Sequence, residues 1–366
     1  MTVSHTLIVE PDDGRTLVLQ ILGAATKTID LTIYEIGDPQ IMSALTSAQD
    51  RGVTVRVLYN WHSFLPRQQQ TDVTPYINTL TQAGVQCRQA PAKFTVTHEK
   101  AFVIDGVTAI VMSFNLTNEY FGGTRDFGIV TTVPAEVAEI DAVFNADWNS
   151  QPITPTVPSM VWSPVNSRAK LTALINGAQS TLDVYCEEAE DPGTLGALVA
   201  AAKRGVKVRF IAAVDGSQIK INGNARGVTF LQAGGVNAVC RGAGTNPLLY
   251  FHAKMVLVDL GSPNARAFIG SENLSCVSLN ENRECGIIVN EPAILQRLES
   301  IFLFDLAQPN VPVIPDHTPL VPCGGFRSPP SLVTIPIKVK VPPARKPEKT
   351  IARGSIGTPK TANRRN

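Results

Sequence analysis

The sequence predicts an α/β fold built twice, as two α/β sandwich domains followed by a Pro-rich basic tail. Three observations carry this. Stretches with strand and helix patterning alternate along residues 1–308, which points to layered α/β units. Segments about 150 residues apart match, as in SALTSAQDRGVTVRVL and GALVAAAKRGVKVRFI. A set of polar residues with fixed spacing also occurs once in each half. A period this long is a duplicated domain, not a solenoid repeat.

The first domain spans residues 1–150. It opens with a strand, a Pro-Asp-Asp-Gly turn and a helix through LVLQILGAATKT. KTIDLTIYEIGD reads as a strand and is followed by a helix from Pro39 to Gln49 that stops at Arg51-Gly52. VTVRVLYN is a strand, Thr74 to Gln82 a helix, and VQCRQAP a strand. A hairpin, the strand DFGIVTT and a closing helix, PAEVAEIDAVFNADWNS, complete the half. A Pro-rich linker occupies 151–166. The second domain, 167–308, repeats the order: LDVYCEE matches LTIYEIG, VNAVCR matches VQCR, and a helix from about Glu291 to Leu306 closes it. In the Pro-rich basic tail, 309–366, PVIPDHTPLVPCGG is expected as an extended strap, and the stretch from about Arg327 as disordered.

The repeated polar set is specific. THEKAFVID places His98, Lys100 and Asp105, and FHAKMVLVD places His252, Lys254 and Asp259, at identical spacings. Residues two apart on a strand share a face, so each His and Lys project into one space. Ser113 and Asn115 then stand where Ser271 and Asn273 stand, and a carboxylate follows eleven positions after each Asn, at Asp126 and Glu284. An imidazole beside an ammonium, with a turn of small hydrogen-bonding residues, suits a phosphoryl group.

These residues resemble the phospholipase D superfamily, whose pattern is H-x-K-x4-D followed by G-S-x-N. The resemblance covers about residues 7 to 305. It implies two phospholipase D-like sandwiches packed as a pseudo-twofold pseudo-dimer, with His98 opposite His252. It departs from the pattern at Met112, which replaces the glycine supplied by Gly270 in the second copy, and in a second hairpin four residues longer. The resemblance implies His98 as nucleophile and His252 as general acid/base; residue chemistry alone does not order them. Lys100 and Lys254 would neutralise phosphate oxygens, with Asn115 and Asn273 donating to the same charge. Asp126 and Glu284 would accept the proton on the far nitrogen of His98 and His252. Ser113 and Ser271 are expected as turn donors, and Asp105 and Asp259 as structural residues at strand ends. No metal or other cofactor is called for.

Glu35, Glu187 and Glu188 are expected as ordinary strand-end residues rather than cleft residues. His5, His62 and His317 are expected on the surface. Trp61, Phe64, Leu65, Tyr120 and Phe121 are expected to pack in loops rather than form a lipid-dipping rim. Six cysteines in 366 residues form no disulfide scaffold. Cys87 and Cys240 are expected as equivalent buried strand residues, and Cys276 and Cys285 as structural thiols.

A hydrophobic content of 44% with 17% charged residues describes a globular chain. No apolar run reaches transmembrane length, and the first residues lack a signal-peptide layout. The expectation is a cytoplasmic or peripheral membrane protein, or a secreted one if a leader has been removed. From Arg327 onward ten Lys/Arg face one Asp/Glu, a tail of +9, leaving −8 on the rest of a chain whose total is +1. An acidic body favours a phospholipid or membrane surface over nucleic acid, because non-specific nucleic-acid affinity comes from neutralised phosphates. The tail keeps an endonuclease acting on DNA or RNA as the alternative. A non-catalytic scaffold is disfavoured because every paired residue is present. A complete site in one chain calls for no obligate protein partner, so a monomer is expected.

Overall fold

The computed structural model describes residues 4–60, 72–214, 224–242 and 249–324. The expectations for Trp61, His62, Phe64, Leu65 and the tail beyond residue 324 lie outside them. Each half builds one mixed sheet. In the first half β1 (His5–Glu10), β2 (Thr28–Ile33), β3 (Thr54–Tyr59), β4 (Gln86–Gln89), β5 (Ala101–Ile104), β6 (Thr108–Met112) and β7 (Thr124–Thr131) lie in the order β1-β7-β6-β5-β2-β3-β4. The second half has β8 (Met160–Ser163), β9 (Thr181–Cys186), β10 (Lys207–Val214), β11 (Asn237–Gly242), β13 (Met255–Val258), β14 (Arg266–Gly270) and β15 (Glu284–Val289). Its order, β8-β15-β14-β13-β9-β10-β11, is the same. The short β12 (Tyr250–Phe251) leaves its own half and pairs with β7.

Local chemistry explains the matching crossovers. Asp38 and Asp191 cap α2 (Pro39–Asp50) and α6 (Pro192–Lys203), each with proline in the first turn, where no amide hydrogen is needed. Arg15 and Arg168 hold those two aspartates from the preceding segment. Gly52 and Gly205 follow the two helices with φ of 88° and 94°, a left-handed turn that glycine enters without penalty.

Two outer cores, one per half, lie under these helices. A third lies between the sheets and draws on both halves. It contains Val111 and Phe127, Met255 and Ile269, with Val143 of α4 (Pro134–Trp148) and Phe302 of α9 (Pro292–Leu306). Each such side chain contributes about 1.5–3 kcal/mol on burial, so the halves are joined by a shared core and not merely by a linker. Two ion pairs cross it at matched positions. Arg125 on β7 reaches Asp305 of α9 at 2.8 Å, and Arg283 beside β15 reaches Asp147 of α4 at 2.7 Å.

Several expectations need correction. The linker is shorter than 151–166, because MVWS forms β8, the counterpart of β1; Pro158 and Pro164 flank it, where no ladder hydrogen bond is lost. The match of LDVYCEE to LTIYEIG slips by two residues. Asp30 and Asp183 hold equivalent places, each paired with an arginine of the next strand, so Tyr34 corresponds to Glu187 and not to Tyr185. A slip of two keeps every side chain on its face, so alternation does not reveal it. For the same reason Cys87, half-buried, is equivalent to Ala238 rather than to the buried Cys240.

Cys276 is not a free thiol: it forms a disulfide with Cys323 that fastens the end of the segment after α9. His5 is not a surface residue. It lies between Glu136 of α4 and Glu291 before α9, and these carboxylates outweigh the effect of burial and raise its pKa. His317 is exposed. Among the described residues no helix is long and apolar enough to cross a membrane.

Candidate active site

The β5–β6 and β13–β14 hairpins explain the motif spacing. Because the strands run antiparallel, the start of β5 and the end of β6 are neighbours, and the Met112 amide donates to the Lys100 carbonyl at 2.9 Å. His98 and Lys100 are thus brought beside Ser113 and Asn115, and the second hairpin does the same for its own set. At the far ends Asp105 and Asp259 turn the chain with φ of 54° and 50°. Asp105 accepts the amides of Thr26, Lys27 and Thr28, and Asp259 those of Gln179, Ser180 and Thr181. These bonds hold both carboxyls below the ordinary Asp range against burial. The four extra residues of the second hairpin fall in the turn around Gly261, at the end opposite His252.

The halves then exchange their histidines. The amides of His98 and Glu99 donate to the Arg283 carbonyl, and the Ala253 amide donates to the Arg125 carbonyl. Each imidazole therefore meets the carboxylate of the other half. His98 Nδ1 lies 2.8 Å from Glu284, and His252 Nδ1 lies 2.9 Å from Asp126. The expected pairing of each carboxylate with the histidine of its own copy is thereby crossed. Both rings are buried, with centroids 6.5 Å apart.

Other groups hold the carboxylates in place. Ser113 Oγ donates to Asp126 at 2.6 Å, whereas Ser271 accepts the Cys285 amide at 3.1 Å. Ser278 and Asn282, unforeseen from the sequence, donate to Glu284. Burial would raise Glu284, but His98 and Lys100 outweigh it and hold the carboxyl below its usual range.

The two half-sites are electrostatically unequal. Burial, reinforced by the charges of Lys100 and Lys254, lowers His98 to about 4 even against Glu284. Burial likewise lowers Lys100 to about 7; its Nζ donates to the His98 carbonyl and lies 5.2 Å from the Tyr34 ring centroid. Lys254 instead meets Glu187 at 2.8 Å, with Asn273 Nδ2 at 3.3 Å and His252 Nε2 at 3.4 Å from the same oxygen. Glu187 is thus a cleft residue. Glu35 also reaches the site, accepting from Asn115 at 3.4 Å, and Glu188 donates its amide to Asn273 Oδ1 at 3.3 Å. Tyr120 packs edge-on to His252, 4.9 Å between centroids, and both Tyr120 and Phe121 are buried, as expected of packed loop residues.

Two further carboxyls lie behind the crossed pairs. Glu10 faces Asp126 across the β1–β7 ladder; burial first, and Asp126 second, push it up to about 8. Glu272 stands where the first half has Phe114, and neither of its oxygens meets a donor in hydrogen-bond geometry. Burial raises it well above the usual Glu range, and the nearby Ser271 and Glu272 amides offset only part of this. It also accounts for Gly270: a Cβ there would come within 2.4 Å of Glu272 Oε2 and 2.5 Å of Gly286 Cα.

Because the folded state keeps the Glu272 proton while the unfolded chain releases it above the ordinary Glu range, this residue costs stability as pH rises. Glu272→Met is therefore expected to stabilise the protein by about 1–3 kcal/mol near pH 8, and by less near pH 5. Urea unfolding at the two pH values measures this, and a gain that does not grow with pH would contradict a neutral Glu272.

Comparisons with known proteins bear on the family and the fold. Residues 18–148 and 171–306 both match the family described as cardiolipin synthase, PLD-like domain, covering well over half of the chain. A mitochondrial cardiolipin hydrolase from Chlamydomonas reinhardtii is 26% identical over 131 residues, 36% of this chain. That alignment spans 56% of the relative, so the chain matches little more than half of its length. The phosphatidylserine synthase structure from Haemophilus influenzae superposes with a TM-score of 0.64 at 14% identity, covering 84% of this chain and 87% of the other. The polyphosphate kinase from Porphyromonas gingivalis gives 0.62 at 16% identity, covering 83% of this chain and 50% of that one. At those identities the two structures speak to the fold alone. With the family matched once in each half, and each match ending in a closing helix that locks the other half, the chain belongs to the family described as cardiolipin synthase, PLD-like domain, within the phospholipase D superfamily.

Proposed function

We propose that the protein is a phosphodiesterase of phospholipase D type that hydrolyses a phospholipid head-group ester, or transfers the phosphatidyl group, through a phosphohistidine. The observation that carries this is the pair of buried imidazoles 6.5 Å apart, each with Nδ1 held by a carboxylate of the opposite half. Held this way, each ring keeps Nε2 for chemistry.

His98, kept neutral by burial, forms the N–P bond while the P–O bond to the leaving group breaks. His252 has Asp126 at Nδ1 and the Glu187 carboxylate 3.4 Å from Nε2, and it serves as the general acid. It hands the Nε2 proton to the leaving alkoxide, then takes one from water or an acceptor alcohol, whose oxygen attacks phosphorus and breaks the N–P bond. Lys100, Lys254, Asn115 and Asn273 stabilise the non-bridging oxygens. No step of this reading is routed through a metal.

Phospholipid is favoured as substrate by the family description, by the cardiolipin hydrolase relative and by the net −8 outside the basic tail. We place the protein at a membrane surface as a peripheral monomer, since both half-sites come from one chain. The +9 tail supports the second reading, an endonuclease whose cationic arm holds a polyanion near an acidic body. Phosphatidylcholine and cardiolipin vesicles and a labelled single strand, assayed side by side in EDTA, decide between them. Phosphatidate or released head group is the expected product; strand cleavage without any lipid product would overturn the preference.

A further inference from the structure

Two donors of the second half-site, with a ring nitrogen at ion-pair distance, converge on one atom that belongs to the protein itself. Lys254 Nζ, Asn273 Nδ2 and His252 Nε2 lie 2.8, 3.3 and 3.4 Å from Glu187 Oε2. These are the amine, amide and imidazole that the phosphodiesterase reading assigns to substrate oxygens. The carboxylate is anchored on its other side, where the Tyr250 hydroxyl donates to Oε1 at 2.8 Å. Among the described residues, no carboxylate of the first half takes the matching place. The equivalent position is Tyr34, whose ring packs against His98 at 4.9 Å, and Asn115 turns to Glu35 only at 3.4 Å.

We propose that Glu187 is a built-in anion that fills the oxyanion position of the second half-site, and that a substrate phosphate must displace it to be gripped by both halves. The inference rests on the phosphodiesterase reading for the identity of the competing ligand. A carboxylate oxygen and a phosphoryl oxygen ask for the same donors, and two anions within a few ångströms in a buried site repel strongly. A phosphate can therefore settle fully on Lys254 only once Glu187 has swung away or taken a proton. Lys100, with no carboxylate within ion-pair distance among the described residues, is the amine open to the first contact. Binding is thus ordered: the first half-site captures the anion, and the second closes on it after Glu187 yields. The device favours ligands with enough additional binding energy to pay for that displacement, and holds small free oxyanions off.

Binding of inorganic phosphate and of tungstate to the full-length chain, measured by titration calorimetry, tests this without turnover. Glu187→Gln removes the charge and keeps the shape, and is expected to tighten both anions by at least about tenfold. Tyr250→Phe frees the anchored side and is expected to give a smaller gain in the same direction, which keeps the test open if the first variant folds poorly. Glu35→Gln removes the nearby carboxylate that accepts from Asn115 of the first half-site, and is expected to change affinity less than Glu187→Gln. Unchanged or weaker binding in both Glu187→Gln and Tyr250→Phe overturns the proposal, as does an equal gain in Glu35→Gln, which would reduce the effect to a general field. Tighter anion binding with no diester turned over leaves the displaced carboxylate standing and removes the phosphodiesterase reading; turnover with unchanged anion affinity does the reverse.

Discussion

His98→Ala is expected to abolish turnover of every diester, lowering kcat at least about 10³-fold, whereas His252→Ala is expected to fail selectively. The distinction comes from the leaving group. An alkoxide departs badly without a proton, so His252→Ala should lose about 10²–10⁴-fold on an alkyl diester. A p-nitrophenyl ester needs no such proton. On that substrate His252→Ala should release one equivalent of p-nitrophenol in a burst and then stall, because water attacking the phosphohistidine still lacks its base. Acid quench should find the label on the peptide carrying His98. A burst in His98→Ala, or label on His252, would reverse the two roles.

The pH profile follows from the same geometry. Burial lowers His98 to about 4, so in the proposed role of nucleophile it would become protonated and inactive only as pH falls through that value. Burial lowers Lys100 to about 7, so the free enzyme loses this charge as pH rises past it. The kcat/KM profile, which reports the free enzyme, should therefore be highest between about 4 and 7.

The candidate site residues were legible because they obey short-range rules. His98 and Lys100 share a strand face, and the Asn and carboxylate offsets repeat to the residue. The sequence could not show what depends on contacts between halves. Arg125-Asp126 and Arg283-Glu284 are dipeptides at matched offsets, as are Asp147 and Asp305 near the ends of α4 and α9. Their repetition was a signal available to inspection, but partners more than a hundred residues apart are fixed only by the fold. The crossed carboxylate–histidine pairs were hidden for the same reason, since copy-to-copy matching naturally joins each carboxylate to its own histidine. Glu187 was hidden by the two-residue slip, which aligned a tyrosine with a tyrosine and left the chemically unequal pair, Tyr34 and Glu187, unmatched. The Cys276–Cys323 disulfide depends on where the segment after α9 is laid down, and local sequence does not encode that course.

The crossing ion pairs lead to the largest expected stability effect. Arg125 places its guanidinium 2.8 Å from Asp305 and also donates to the Glu10 carbonyl, and both charged side chains are buried. The Tyr185 hydroxyl adds a bond to the same carboxylate at 2.7 Å. Arg125→Met leaves the buried Asp305 carboxyl with that hydroxyl as its one remaining side-chain hydrogen bond among the described residues, so the loss is expected to be about 3–5 kcal/mol. The double change Arg125→Met with Asp305→Leu removes both charges together and is expected to recover most of it, because a buried pair is offset by the cost of desolvating it. Urea unfolding of the four proteins in this cycle measures the coupling. Each should unfold in a single transition with an unchanged slope, since the core shared by β7, α4 and α9 still joins the halves. A second transition in Arg125→Met would instead mean that this ion pair, rather than the apolar layer between the sheets, is what keeps His98 and His252 facing one another.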